Sequence, residues 1–205
     1  AEWFQREIAD PLGADFYMSL PASEDARVAE LIPPVVNPMS ELIINDVTIS
    51  MDSIAGRTLT SAMLTATEPK TREWRAAEIP AAGGIGNARS IARIHSMLAC
   101  GGEVNGTRIM SEAGARRGLE VQIDNDDQVL MAHMRHGLGF ARELEGWTTS
   151  PNENSMFWGG WGGSVAIVDF DARASIAYVM NRMDDQLTGD PRNQRIAAAT
   201  YAAIG

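Results

Sequence analysis

The chain has 205 residues, is 45% hydrophobic and 21% charged, and carries a net charge of −10 at pH 7. That is room for one domain or one and a half, and the acidic balance argues against nucleic acid or an anionic membrane as the main partner. No apolar run approaches the roughly 18 residues a membrane-spanning helix needs, and the single cysteine, Cys100, excludes an internal disulfide and fits a reducing, cytoplasmic setting.

Ala1 to Asp10 predicts the last turns of an amphipathic helix with Trp3, Phe4 and Ile8 on one face, stopped by Asp10-Pro11-Leu12-Gly13. The chain opens inside a helical pattern and without Met, so a fragment or processed product is expected. Asp15 to Leu20 reads as a short strand or an extended segment. Residues 21–40 hold Pro21, Pro33, Pro34 and Pro38 and predict an extended connection. Residues 41–80 are weakly patterned, with a short helix expected at Ser61 to Ala66 and a turn at Glu68-Pro69-Lys70.

Asn87 to Ala99 carries the clearest helical pattern. Ile91, Ile94, His95 and Leu98 recur at helical spacing, and Gly101-Gly102 ends the run. His95 falls on the apolar face, where a hydrogen-bonded core histidine is the plainer reading. Ser111 predicts the N-cap of a second short helix through Gly118. Strands are expected at Val129 to Met134, Leu138 to Arg142, Ser164 to Phe170 and Ser175 to Asn181. Asp171-Ala172-Arg173-Ala174 joins the last two as a hairpin turn. Asp190 is expected to cap a terminal helix to Ile204, with Pro191 at its first position. Strands packed by a C-terminal helix predict an antiparallel sheet with a covered face.

Little in this pattern suits a metal or cofactor. His133 and His136 lie in an extended stretch without the third and fourth ligands that zinc requires. Asp124, Asp126 and Asp127 have the spacing of a calcium loop without the rest of that motif, so a solvated loop is expected. Gly83-Gly84-Ile85-Gly86-Asn87 enters a helix but lacks the lysine and preceding apolar strand of a phosphate loop; a tight turn with a helix cap is the plainer reading. No cofactor and no metal are expected.

The densest signal is Phe157-Trp158-Gly159-Gly160-Trp161-Gly162-Gly163-Ser164, running into the apolar Val165-Ala166-Ile167-Val168-Asp169-Phe170. Glycine weakens a strand, so this density implies close approach of the backbone to something else. Either the bare strand edge offers N–H groups to a substrate oxyanion, or a glycine bend places two indoles in the core.

Several segments in order resemble the C-terminal half of the serine β-lactamase-like family, particularly the esterases related to class C β-lactamases (the family VIII carboxylesterase type). They are Phe4 to Leu12 with Pro11-Leu12-Gly13-Ala14, Glu78-Ile79-Pro80-Ala81-Ala82, Gly86-Asn87-Ala88-Arg89-Ser90-Ile91-Ala92-Arg93 and Leu98 to Gly102. His136-Gly137-Leu138-Gly139-Phe140 resembles the family's Tyr-Gly-Leu-Gly-aromatic strand. Gly162-Gly163-Ser164, the hairpin and Tyr178-Val179-Met180-Asn181-Arg182-Met183 complete the set.

The resemblance implies an α/β (α+β) fold of the β-lactamase/transpeptidase-like type. Residues 1–120 would form the distal part of its helical domain with connecting loops, and residues 121–205 the C-terminal strands and helix of the α/β domain. The family's N-terminal half, with Ser-x-x-Lys and Tyr-x-Asn, is absent. The nearest substitutes are Ser90-Ile91-Ala92-Arg93 and Thr67-Glu68-Pro69-Lys70, and the proline breaks the required helical turn.

Trp158-Gly159-Gly160 takes the place of the third motif, with Trp161-Gly162-Gly163 as the other register. The Trp161 backbone N–H is then one oxyanion donor, the nucleophile's own N–H the other, and Trp158, Gly159, Gly160 and Asn181 border the substrate. Tryptophan in place of a cation favours neutral esters over β-lactams, while Arg182 and Arg192 remain as anion contacts. The implied whole is a serine esterase working through an acyl-enzyme. Its substrate is a small ester, its partner the N-terminal half of the same protein, cleaved or separate, and this chain alone is expected to be inactive. A β-lactamase, D-amino-acid peptidase or acyltransferase of the same fold, or a non-catalytic ligand-binding module, stays open.

Overall fold

The computed structural model describes all residues except 38–40, 45–46, 63, 147 and 186–188. Helix α1, residues 2–12, has α-helical Glu2–Phe4 and Asp10–Leu12 on either side of a π-helical stretch, Gln5–Ala9. Phe4, Ile8, Ala9 and Leu12 pack with Met97, but Trp3 is 63% exposed and does not share that buried face. The wider π turns shift the register away from the spacing a regular helix predicts. Gly13, at φ 59°, closes the helix, and Ala14 N–H reaches Ala9 O at 2.8 Å.

Strand β1 covers only Phe16–Tyr17 of the Asp15 to Leu20 stretch. The 3-10 turn Ala22–Arg27 interrupts the extended connection predicted there. Ion pairs explain the fold-back: Asp25 meets Arg72 and Arg75, and Arg27 meets Asp15 and Glu24. Pro38 lies outside the described residues. β2 (Ile43–Ile44) and β3 (Val47–Thr48) pair as a small hairpin. Helix α2 (Ile54–Ser61) replaces the one expected at Ser61 to Ala66. Ser53 Oγ caps it by accepting Gly56 N–H at 3.0 Å, and Ala66 has a left-handed φ of 65° that no helix allows. Glu68–Lys70 is a turn, as predicted, and leads into α3 (Arg72–Ala76).

β4 (Ile85–Gly86) pairs with β1 and leads into α4 (Ala88–Ala99), where Asn87 Oδ1 accepts Ser90 N–H at 3.0 Å. Gly101 and Gly102, at φ 75° and 88°, end it. β5 (Glu103–Val104) and β6 (Thr107–Arg108) form a second small hairpin. Ser111 caps α5 (Glu112–Arg116), as predicted.

The main sheet contains β7 (Ile123–Asp127), β8 (Ala132–His136), β9 (Ala141–Arg142), β10 (Ser155–Gly159), β11 (Val165–Asp169) and β12 (Ala174–Tyr178). Its order is β12-β11-β10-β9-β8-β7, antiparallel throughout. Asp124, Asp126 and Asp127 therefore lie in an edge strand, not in a solvated loop. Asp126 stands opposite His133 and Asp124 opposite Arg135, and such opposite-charge pairs hold a polar edge. The strand expected from Val129 starts at Ala132, because Asp127 Oδ1 accepts the N–H groups of Val129 and Leu130 at 2.8 and 2.7 Å and turns the chain. The Leu138 to Arg142 strand shrinks to β9, since Gly139 turns at φ 82°.

All five residues of β11 are buried. Val165 and Ile167 join Phe157, Ile176 and Ala197 of the terminal helix α6 (Pro191–Ile204), while Val168 and Phe170 join Met156, Ala99 and Ala115. The sheet is thus covered by α6 on one face and by α4 and α5 on the other, and the second cluster runs across residue 120. Fully buried Asp169 ties the 143–155 loop to α6. It accepts from Ser150 Oγ (2.7 Å), Asn152 Nδ2 (2.9 Å), Tyr201 OH (2.9 Å) and Ala172 N–H (2.8 Å). Burial works to raise its pKa, but these donors outweigh that and hold the carboxyl below the ordinary range.

Candidate active site

The two Trp-Gly-Gly copies occupy different structures. Trp158 and Gly159 end β10 opposite Ala166 and Val165 of β11. β9 meets β10 only at Met156 and Phe157, so beyond Phe157 that side of β10 has no ladder partner among the described residues. Gly160 N–H then bonds Ser164 O at 2.9 Å, and Gly163 N–H bonds Gly160 O at 3.1 Å. With Gly162 at φ 95°, residues 160–163 form a turn of the type II pattern, whose third position demands left-handed φ. Trp161 is the second residue of that turn. Its N–H is not needed for turn closure and donates to no acceptor among the described residues.

Trp158, Gly159, Gly160 and Trp161 line one cavity of about 420 Å³, together with Phe16 and Tyr178. Trp158, Gly159 and Gly160 also line a second, of about 420 Å³, with Thr149 and Asn193. The first copy is therefore the wall between two cavities. Asn181 is not brought to either. It borders a third cavity, of about 610 Å³, that Trp161 and Ser164 also line, and its carbonyl accepts Ile32 N–H at 2.6 Å.

Trp158, 38% exposed, lies against the His136 ring with centroids 4.8 Å apart. His136 is not among the expected site residues; the sequence marks it only in the His-Gly-Leu-Gly segment and in the His133/His136 pair weighed as metal ligands. The Trp161 indole Nε1 is buried and has no hydrogen-bond partner among the described residues.

The turn is braced from α6. Arg192 Nη2 donates to Gly162 O at 3.0 Å and Asn193 Nδ2 to Gly163 O at 2.9 Å. Arg192 Nε bonds both oxygens of Asp190, and Nη1 bonds Arg182 O at 2.9 Å. This corrects the expectation of an anion contact from Arg192: its guanidinium is spent on internal acceptors. Asp190 is 1% exposed and also caps α6 by accepting Arg192 N–H at 2.7 Å. Burial pushes its pKa up, and the bonds from Arg192 more than offset this and hold it low.

The remaining candidates are structural. His95 Nδ1 bonds Ile91 O at 2.7 Å against Phe140, and burial pushes its pKa down. His133 bonds Asp126 through Nδ1 and Asp124 through Nε2, each at 2.9 Å, and its pKa is raised by those bonds. Ser90 Oγ accepts Asp15 N–H at 2.9 Å, and Lys70 Nζ pairs with Glu30 at 2.8 Å.

A model of the beta-lactamase family matches residues 1–201. Esterase/beta-lactamase LipL of Mycobacterium tuberculosis is 29% identical over 203 residues, spanning 88% of this chain and 42% of that protein. The crystal structure of a family VIII carboxylesterase superimposes with a TM-score of 0.84 at 36% identity, over 98% of this chain and 51% of that one. A penicillin-binding protein homologue from Caulobacter crescentus gives a TM-score of 0.84 at 32% identity, over 98% and 52%. The fold is of the β-lactamase/transpeptidase-like type, and the chain spans about half the length of these relatives.

Proposed function

Because this chain belongs to the beta-lactamase family, we propose that it is the C-terminal portion of a serine hydrolase acting on carboxylic esters. The observation that carries the reading is the uncommitted Trp161 N–H, placed directly after a strand end that is open on one side. Serine attack on an ester carbonyl turns the carbonyl oxygen into an oxyanion. A preorganised N–H stabilises that charge more in the transition state than in the substrate. Trp161 N–H takes one side of the oxyanion and the N–H of the nucleophilic serine the other. Collapse of the intermediate expels the alcohol with a proton from the base, and water then releases the acid from the acyl-enzyme. Trp158, Gly159 and Gly160 form the wall along which the ester lies, and Asn181 borders the neighbouring cavity. The flat apolar face of Trp158 suits a neutral ester.

The nucleophile and its base come from the part of the protein outside residues 1–205, cleaved or separate. Two features support such a partner. The outer edge of β12 has no strand beside it among the described residues, and α6 leaves Ile196 and Ile204 42% and 54% exposed. Open strand edges and exposed apolar stripes are ordinarily covered. The test is hydrolysis of a short-chain chromogenic ester by residues 1–205 and by the full-length protein. The expected result is turnover by the full-length protein alone. Turnover by residues 1–205 overturns the assignment of the nucleophile, and ligand binding without turnover in the full-length protein identifies a binding module.

A further inference from the structure

We infer that Arg192 is the positioning residue that holds the Trp161 N–H in place for the oxyanion, an inference that rests on the ester-hydrolase reading above. A trans peptide points its C=O and the following N–H in opposite directions. Arg192 Nη2 and Asp184 N–H, both at 3.0 Å, hold Gly162 O. The opposite end of that same peptide, Gly163 N–H, closes the turn on Gly160 O at 3.1 Å. Fixing one end fixes the other, and the closed turn leaves Trp161 N–H unbonded.

Arg192 is itself locked. Its Nε bonds both Asp190 oxygens, at 3.0 and 2.9 Å, its Nη1 bonds Arg182 O at 2.9 Å, and its guanidinium lies 5.9 Å from the Tyr178 ring centre. Gly163 shows how tightly the turn meets this pair: a Cβ there would lie 1.8 Å from Asp190 Oδ2. One planar guanidinium thus joins the glycine turn, the Arg182 backbone and the first turn of α6. A lysine could keep the charge pair with Asp190, but not the fork that reaches the two carbonyls as well.

A donor that acts only on the transition state affects kcat rather than KM. The experiment compares full-length wild type, Arg192→Lys and Arg192→Met on a neutral short-chain ester, with hydrogen exchange followed over residues 159–164 and 88–99. The expected result is a fall in kcat of about 10- to 100-fold for Arg192→Met, a smaller fall for Arg192→Lys, and KM within about threefold. Exchange quickens over 159–164 and stays unchanged over 88–99. Unchanged kcat despite a loosened turn or a lowered Tm overturns the inference. So does unchanged exchange in the turn, or a rise in KM at constant kcat, which would make Arg192 a substrate contact. A full-length wild type that turns over no ester refutes the hydrolase reading and the catalytic role with it, while the exchange data still decide whether Arg192 holds the turn.

Discussion

Trp158-Gly159-Gly160 and Trp161-Gly162-Gly163 share every residue type, yet the first ends a strand and the second bends into a turn. Their surroundings separate them. Trp158 lies where β9 has stopped and the His136 ring offers a face. In the second copy both glycines have left-handed φ, 95° and 109°, and both carbonyls are held from α6. Glycine in the first copy leaves room beside a strand; in the second it permits a backbone conformation that other residues adopt only with strain.

Substitutions can separate these two roles. The largest effect is expected from Gly163→Ala, which combines unfavourable φ with a collision against the buried Asp190 carboxylate. It should lower the stability of the full-length protein by about 3 kcal/mol or more in urea titration. Gly160→Val should spare most of that stability, since its φ is not left-handed and its Cβ meets only Ser164 Oγ, at 2.9 Å. It should instead reduce kcat/KM for a short ester by about 100-fold. Equal stability losses in the two variants would erase the distinction.

Trp158→Ala removes a stacking wall and should raise KM by about tenfold with little change in Tm. Trp161→Phe keeps an aromatic ring but removes the five-membered part of the indole with its partnerless N–H, so relief of the unsatisfied donor offsets lost packing and stability should change by no more than ~1 kcal/mol.

The smallest effect lies away from both copies. His133 has its pKa raised above 6.5 by its bonds to Asp126 and Asp124. A raised folded-state value means the stabilisation is fully present below 6.5 and is lost as pH rises through the folded value. Protection factors across β7 and β8, corrected for the intrinsic rise of amide exchange with pH, should fall over that range in wild type and stay flat in His133→Gln.

What the sequence made legible were elements whose signal is local. α4, α5 and α6 each have an apolar pattern or a capping side chain, Asn87, Ser111 and Asp190. β11 and β12 are apolar runs across a short turn. β7 was not legible because its stability sits in charge pairs with β8, which no single-strand pattern displays. β10 was hidden because its three buried residues, Ser155, Met156 and Phe157, run into glycine. α2 had its cap in Ser53 but only a thin apolar stripe. At the candidate site, glycine density marked the strand end and turn. The brace from Arg192 and the His136 contact were invisible, because Gly162 and Arg192 are 30 residues apart and His136 reaches Trp158 across the sheet.

If this chain supplies the wall and one oxyanion donor while the nucleophile lies elsewhere in the protein, labelling the full-length protein with a fluorophosphonate probe, followed by peptide mass mapping, should give one adduct, on a serine outside residues 1–205. An adduct on a serine within residues 1–205 would place the nucleophile in this chain instead.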